Sequence, residues 1–170
     1  YGCILSARRK TKKTMAKKEV LISKWQLLFI GAFFVCFIFL IFWNSRTPQT
    51  EFIMLGEESL EVYVAKTLKD TYKGLGGRED LDGKDGMLFL FDFSSKHGIV
   101  MRDMLFPIDI VWLDGGRVVD IAPAVPIEFG VPEYALTSYR PRSDANMVLE
   151  LPAGWSVQND LHIGDALRMP

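Results

Sequence analysis

His97, Arg102 and Asp103 form a compact polar group that flanks the apolar residues 98–101. A histidine with an aspartate nearby is the pairing of a general base with the group that orients it. Ser94 and Ser95 precede it, but no G-x-S-x-G elbow presents a nucleophile. A further acid, Asp109, lies between Ile108 and Ile110. A carboxylate in an apolar strand must be paired or hydrogen-bonded, or its pKa shifts and it becomes a candidate for catalysis. We read Asp109 as tying backbone amides or Arg78 inside the fold. Hydrolase-type chemistry by His97, Asp103 and Asp109 is the alternative.

The candidates for holding a ligand are Arg78, Arg102, Glu150, Tyr139 and Trp155. Arg78 ends a glycine-rich turn over residues 74–77. Its guanidinium would grip a carboxylate or phosphate in bidentate fashion, or pin the turn to an acid such as Asp109. The turn lacks the spacing of a P-loop or of a dinucleotide fingerprint. Glu150, between Leu149 and Leu151, poses the question of Asp109 in milder form. Alternation puts it on the face opposite the leucines, where an exposed glutamate is expected. Tyr134, Tyr139 and Trp155 would make a platform for sugars or peptides, or else pack at the core and rim. His97 and His162 stand 65 residues apart, and both cysteines, Cys3 and Cys36, precede residue 47. No disulfide, thiol nucleophile, metal site or cofactor is therefore expected downstream.

The elements that must position these groups are mostly strands. Residues 51–55 and 59–64 read as two strands around a turn, the second with strict alternation. Residues 66–72 predict a short helix, with Thr67 as N-cap and Asp70 three residues on. Residues 87–91, 97–101, 108–113, 117–122 and 147–151 follow as strands, and 166–169 as the last. Asp114-Gly-Gly116 suits a hairpin loop. Together these predict a mainly β domain, a compact antiparallel barrel or sandwich with one or two short helices. The loop through Pro126 and Pro132 would cover one end and carry binding function.

Upstream, residues 25–45 hold 21 positions without a charge, bracketed by Trp25 and Trp43. At ~1.5 Å per residue such a helix spans roughly 31 Å, the thickness of a bilayer core. Eight basic residues and one acid precede it, a charge of +7. The positive-inside rule then places the N-terminus in the cytoplasm and the rest outside. A cleaved signal peptide is the alternative, but the apolar run is long and no small-residue cleavage site follows. The expected map is a basic tail (1–24), a transmembrane helix (25–45), a linker (46–50) and an extracytoplasmic domain (51–170). Met15 reads as an initiation site, so residues 1–14 are expected to lie upstream of the native start; a basic arm touching anionic lipid is the alternative.

Residues 47–170 carry 11 basic and 20 acidic groups, a net −9. That balance repels phosphates and argues against nucleic acid as a partner. About 120 residues suffice for one core.

Several phrases, in order, resemble the domain of unknown function 192 family. They are Val62-Tyr-Val-Ala65 with Lys73-Gly-Leu-Gly-Gly-Arg78; Gly86-Met-Leu-Phe-Leu-Phe91; Met101-Arg-Asp-Met-Leu-Phe-Pro-Ile-Asp-Ile110; and Val148-Leu-Glu-Leu-Pro-Ala-Gly154 with Gly164-Asp165. The resemblance runs over residues 52–169 and implies a compact β-rich domain with no assigned activity. It also implies Met where Gly76 stands, an aromatic at Val100 and Asn-Thr at Asp103-Met104. If those positions line a pocket, this chain's pocket has lost bulk and gained a negative charge. The reading that results is a membrane-anchored, non-catalytic ligand-binding or envelope-associated module. Its partners would be the bilayer and a small ligand, glycan or envelope protein. The enzyme named above and a purely structural envelope partner are the alternatives.

Overall fold

The computed structural model describes residues 24–44, with side chains as far as Leu40, and residues 49–169. The basic tail and most of the linker lie outside the described residues. The chain divides into two units, 1–46 and 47–170. In the first, α1 (Lys24–Asn44) is a continuous helix, and every described side chain on it is exposed. No helix among the described residues is long and apolar enough to cross a membrane; the span expected over 25–45 extends past the last described side chain.

The second unit is a seven-stranded sheet. Its strands are β1 (Gln49–Leu55), β2 (Glu58–Ala65), β3 (Gly86–Ser95), β4 (Ile108–Asp114), β5 (Arg117–Val125), β6 (Ala145–Pro152) and β7 (Leu167–Arg168). They run in the spatial order β5-β4-β6-β3-β2-β1-β7. The C-terminal segment joins the two ends of the sheet. Leu55 pairs with Leu167 on one side, and on the other Leu167 N–H donates to Gly116 at 2.7 Å and Val118 N–H to Asp165 at 2.9 Å. The sheet thus curls into a barrel whose interior receives apolar side chains from all seven strands, among them Ile53, Val62, Leu88, Val111, Val118, Leu149 and Leu167.

The outer face carries a second core. The period of two places Tyr63, Met87, Phe89, Ile110, Trp112 and Val148 there, between the residues that point inward. Two connections cover them. Residues 66–85 link β2 to β3 and supply Leu75 and Leu81; residues 96–107 link β3 to β4 and supply Met101 and Met104. The first is long because β2 and β3 are parallel, unlike the other pairs, and parallel neighbours require a crossover. The all-antiparallel expectation fails at that one pair.

The crossover contains α2 (Leu68–Lys73). Thr67 caps it by accepting from Asp70 N–H at 3.1 Å, and Gly74, at φ +53°, ends it by donating to Asp70 O at 2.8 Å. Residues 97–101, expected as a strand, are part of the second cover. Their only pairing is a bridge between Ile99 and Tyr139. Their apolar character serves the outer core rather than a ladder. The hairpin at 114–117 forms as expected, with Gly115 and Gly116 at φ +54° and +77°. A one-turn helix, α3 (Trp155–Gln158), follows β6.

Candidate functional site

Between the two covers and the outer face of the sheet lies a cavity of about 270 Å³. Its floor is Glu150 of β6 with Phe89 and Phe91 of β3. Its walls are residues 71–76 around the end of α2 and residues 97–100 of the second cover. Arg102 and Met104 close the rim.

Glu150 is the chemical centre of this site. Cross-strand pairing sets it beside Met87 on one strand and Ile110 on the other. It is only 5 % exposed, and its Oε2 has no hydrogen-bond partner. Burial without compensation disfavours the charged form, and it pushes the carboxyl from an ordinary 4.5 up to about 8. At neutral pH Glu150 is thus chiefly an uncharged acid. Two glycines shape its surroundings. A Cβ on Gly86 would collide with the Glu150 carbonyl oxygen, so glycine lets β3 and β6 meet there. A Cβ on Gly74 would stand 3.9 Å from Oε2 and 3.5 Å from the Phe89 ring, so its absence keeps the floor open.

His97 forms one wall. Its ring stacks on Phe91 at 3.7 Å between centroids, and its Nε2 lies 3.0 Å from Phe93 O. Its carbonyl accepts from Trp112 Nε1 at 3.0 Å, which fixes the backbone as well. Arg102 forms the rim. Nε and Nη2 donate to Glu133 Oε1 at 2.9 and 2.5 Å, and Nη1 donates to Tyr72 O at 2.7 Å. The guanidinium also lies 3.9 Å from the centre of the Tyr72 ring, whose hydroxyl donates to Glu133. A Cβ on Gly76 would come within 2.7 Å of Arg102 O, so glycine is needed where the two covers touch.

Of the candidates chosen from sequence, His97, Arg102 and Glu150 therefore come together. Glu150 is on the expected face, but the covers make that face buried rather than exposed. Asp103, at φ +52°, lines a neighbouring cavity instead. Asp109 belongs elsewhere. It accepts from the N–H groups of Ala124, Gly154 and Ser156 at 2.7, 2.9 and 2.8 Å, and from Ser156 Oγ at 2.5 Å. Burial would raise its pKa, but these four bonds outweigh it and hold the carboxyl below the ordinary 3.8. Arg78 does not pair with it. It bonds Asp82 at 3.1 Å and lies 4.4 Å from the centre of the Tyr63 ring. No aromatic platform forms: Tyr139 packs on the outer core and Trp155 against the inner one.

Sequence reasoning passed over Phe89, Phe91, Tyr72 and Glu133. The two phenylalanines alternate on the face of β3 that meets Glu150, a signal legible once the pairing of β3 with β6 is known. The contact of Glu133 with Arg102 spans 31 residues and leaves no local trace. An ion pair between the buried Asp120 and the exposed Arg142 was also missed: Asp120 accepts from Arg142 N, Nε and Nη2 at 2.7, 3.0 and 2.6 Å. Among the described residues no cluster of three or more His, Cys, Asp or Glu groups could hold a metal ion.

Two solved structures share the fold. A protein of unknown function from Novosphingobium aromaticivorans is 25 % identical, with a TM-score of 0.62 over 71 % of this chain and 86 % of its own. A Sinorhizobium meliloti protein described as a "putative transcription regulator" is 23 % identical, with a TM-score of 0.65 over 74 % and 97 %. No curated protein matches. The family model of an uncharacterized conserved region, domain of unknown function 192, matches residues 52–169, and the chain belongs to that family.

Proposed function

We propose that this chain is a membrane-anchored protein whose extracytoplasmic domain is a non-catalytic ligand-binding module, with the cavity over Glu150 as its site. One observation carries the binding reading: a buried carboxyl oxygen without a partner on the floor of a cavity with aromatic walls. Buried polar atoms in folded proteins are nearly always satisfied, and an exception calls for a functional explanation. A concave setting that sets aromatic and aliphatic side chains beside a few placed polar groups is what small-ligand sites share.

The anchor reading rests on the uncharged run of residues 25–45, most of which falls in α1. From Leu27 to Leu40 its described side chains are apolar on every side, with Phe29 at 73 % exposure. A helix that is apolar all round needs an apolar environment, and the +7 tail sets the orientation. A reporter fused after Pro170 is expected to work only if it functions outside the cytoplasm. Recovery of a soluble form beginning near residues 44–47 would instead establish a cleaved signal peptide.

Thermal-shift screening of the full chain in detergent tests the site. Compounds that stabilise the wild type are expected to lose their effect on Glu150→Gln. Equal shifts in both proteins would place binding elsewhere. Catalysis is a second reading only in altered form. His97, Asp103 and Asp109 are not assembled, whereas His97 and Glu150 line one cavity; turnover of a bound compound that is abolished in both His97→Asn and Glu150→Gln would favour it. The transcription role attached to one neighbour finds no support in a domain with a net charge of −9.

A further inference from the structure

The chemistry around Glu150 narrows the class of ligand, on the premise that the cavity is the binding site. A volume of about 270 Å³ is at or below the roughly 300–1,000 Å³ of ordinary ligand pockets, so the occupant is small. An anion is poorly served. All three guanidinium nitrogens of Arg102 already have acceptors in Glu133 and Tyr72. Lys73, the other cation of the lining, is solvent-exposed at the mouth. A planar guanidinium ligand would use both carboxylate oxygens in a fork, whereas Oε2 is closed off from the surface. A compact ammonium fits one acceptor. It also gains from the faces of aromatic rings, and Phe89 and Phe91 lie on the same floor.

We propose that the cavity binds a small aliphatic primary amine, with its ammonium against the Glu150 carboxylate and its carbons among Phe89, Ile99 and Met104. Binding restores to Glu150 the charge partner that the fold withholds. It therefore requires the carboxylate form, and the amine displaces the proton that Glu150 carries in the free protein. The other titratable or charged groups around the site are Tyr72 and Lys73 from the α2 end, His97 and Arg102 from the second cover, and Glu133 behind Arg102.

The test is calorimetric titration of the full chain in detergent with n-butylamine hydrochloride, in pairs of buffers that differ in ionisation heat. Butanol and butyrate serve as isosteric neutral and anionic probes. Butylamine is expected to bind with release of nearly one proton at pH 7. Its affinity should rise about tenfold from pH 7 to pH 9, as a carboxyl titrating at about 8 becomes ionised. Glu150→Gln should bind at least tenfold more weakly at pH 9 and without pH dependence, while Asp144→Asn, which removes an exposed acid outside the lining, keeps the profile. Stronger binding of butyrate or butanol, or amine binding that releases no proton, overturns the proposal. If butylamine fails to bind while another compound still stabilises wild type and not Glu150→Gln, the site stands and the amine assignment falls. If every compound acts equally on both proteins, the site itself falls.

Discussion

Asp109 and Glu150 occupy nearly the same sequence setting and meet opposite fates. Each is an acid between two branched apolar residues in a central strand, Ile108-Asp-Ile110 and Leu149-Glu-Leu151. Each is buried, at 0 % and 5 % exposure. The strands are neighbours, and Ile110 pairs directly with Glu150. Asp109 points to the end of the barrel where β5 bulges and α3 begins, and four donors converge on it. Glu150 points to the outer face, where the covers exclude water and leave Oε2 without a donor. The same burial therefore gives a carboxylate held below its ordinary pKa and a carboxylic acid raised to about 8. Burial alone does not separate a structural acid from a functional one. The supply of donors does.

The comparison breaks most visibly through Asp109. Asp109→Ala strands three backbone N–H groups and the Ser156 hydroxyl, and is expected to cost on the order of 4 kcal/mol. Chemical unfolding of residues 47–170 measures it. That fragment is itself expected to fold without metal or reductant, since both its cores are its own and it has no cysteine; a chelator that lowers its melting temperature would contradict this.

The two acids also give stability opposite pH dependences. Asp109 has a lowered folded pKa, so its contribution is present above its unfolded value, 3.8, and is lost as pH falls below that. Glu150 has a raised folded pKa. The folded state holds a proton that the unfolded state has released, so stability declines as pH rises from 4.5 to about 8 and then levels. Relative to wild type, Glu150→Gln should therefore gain on the order of 3 kcal/mol across that window, after allowance for relaxation around the charge. Unfolding midpoints at pH 5 and pH 9 check the sign; a constant difference between the two proteins would contradict it.

A smaller effect belongs to the rim. Arg102→Ala removes an exposed ion pair and a cation–ring contact, and is expected to cost about 1 kcal/mol. Its larger consequence is for binding, because Tyr72 and Arg102 also line the adjoining cavity. Loss of size selectivity in a ligand series would show that they partition the two spaces.

Much of the β framework was legible from alternation in residues 59–64 and 147–151, from the Gly115-Gly116 loop and from the Thr67 cap, because these signals are local. The parallel pairing of β2 and β3 was not, since antiparallel and parallel neighbours place side chains with the same period. The site was half legible. Alternation assigned Glu150 to the correct face. Its burial depends on residues 66–85 and 96–107 folding back over that face, a decision made by the apolar side chains Leu75, Leu81, Met101 and Met104 together. The grouping of His97 with Asp103 failed because Asp103 turns away through a positive φ, which composition does not announce.

The central claim is that Glu150 is a buried, uncharged acid at neutral pH, kept without a partner for a ligand. Its side-chain carboxyl carbon can be followed by NMR through a pH titration of the ligand-free protein, with Glu150→Gln to assign the signal. The account predicts a midpoint of about 8. A midpoint near the ordinary 4.5 would show that the carboxyl is solvated or satisfied in the free protein, and would contradict it.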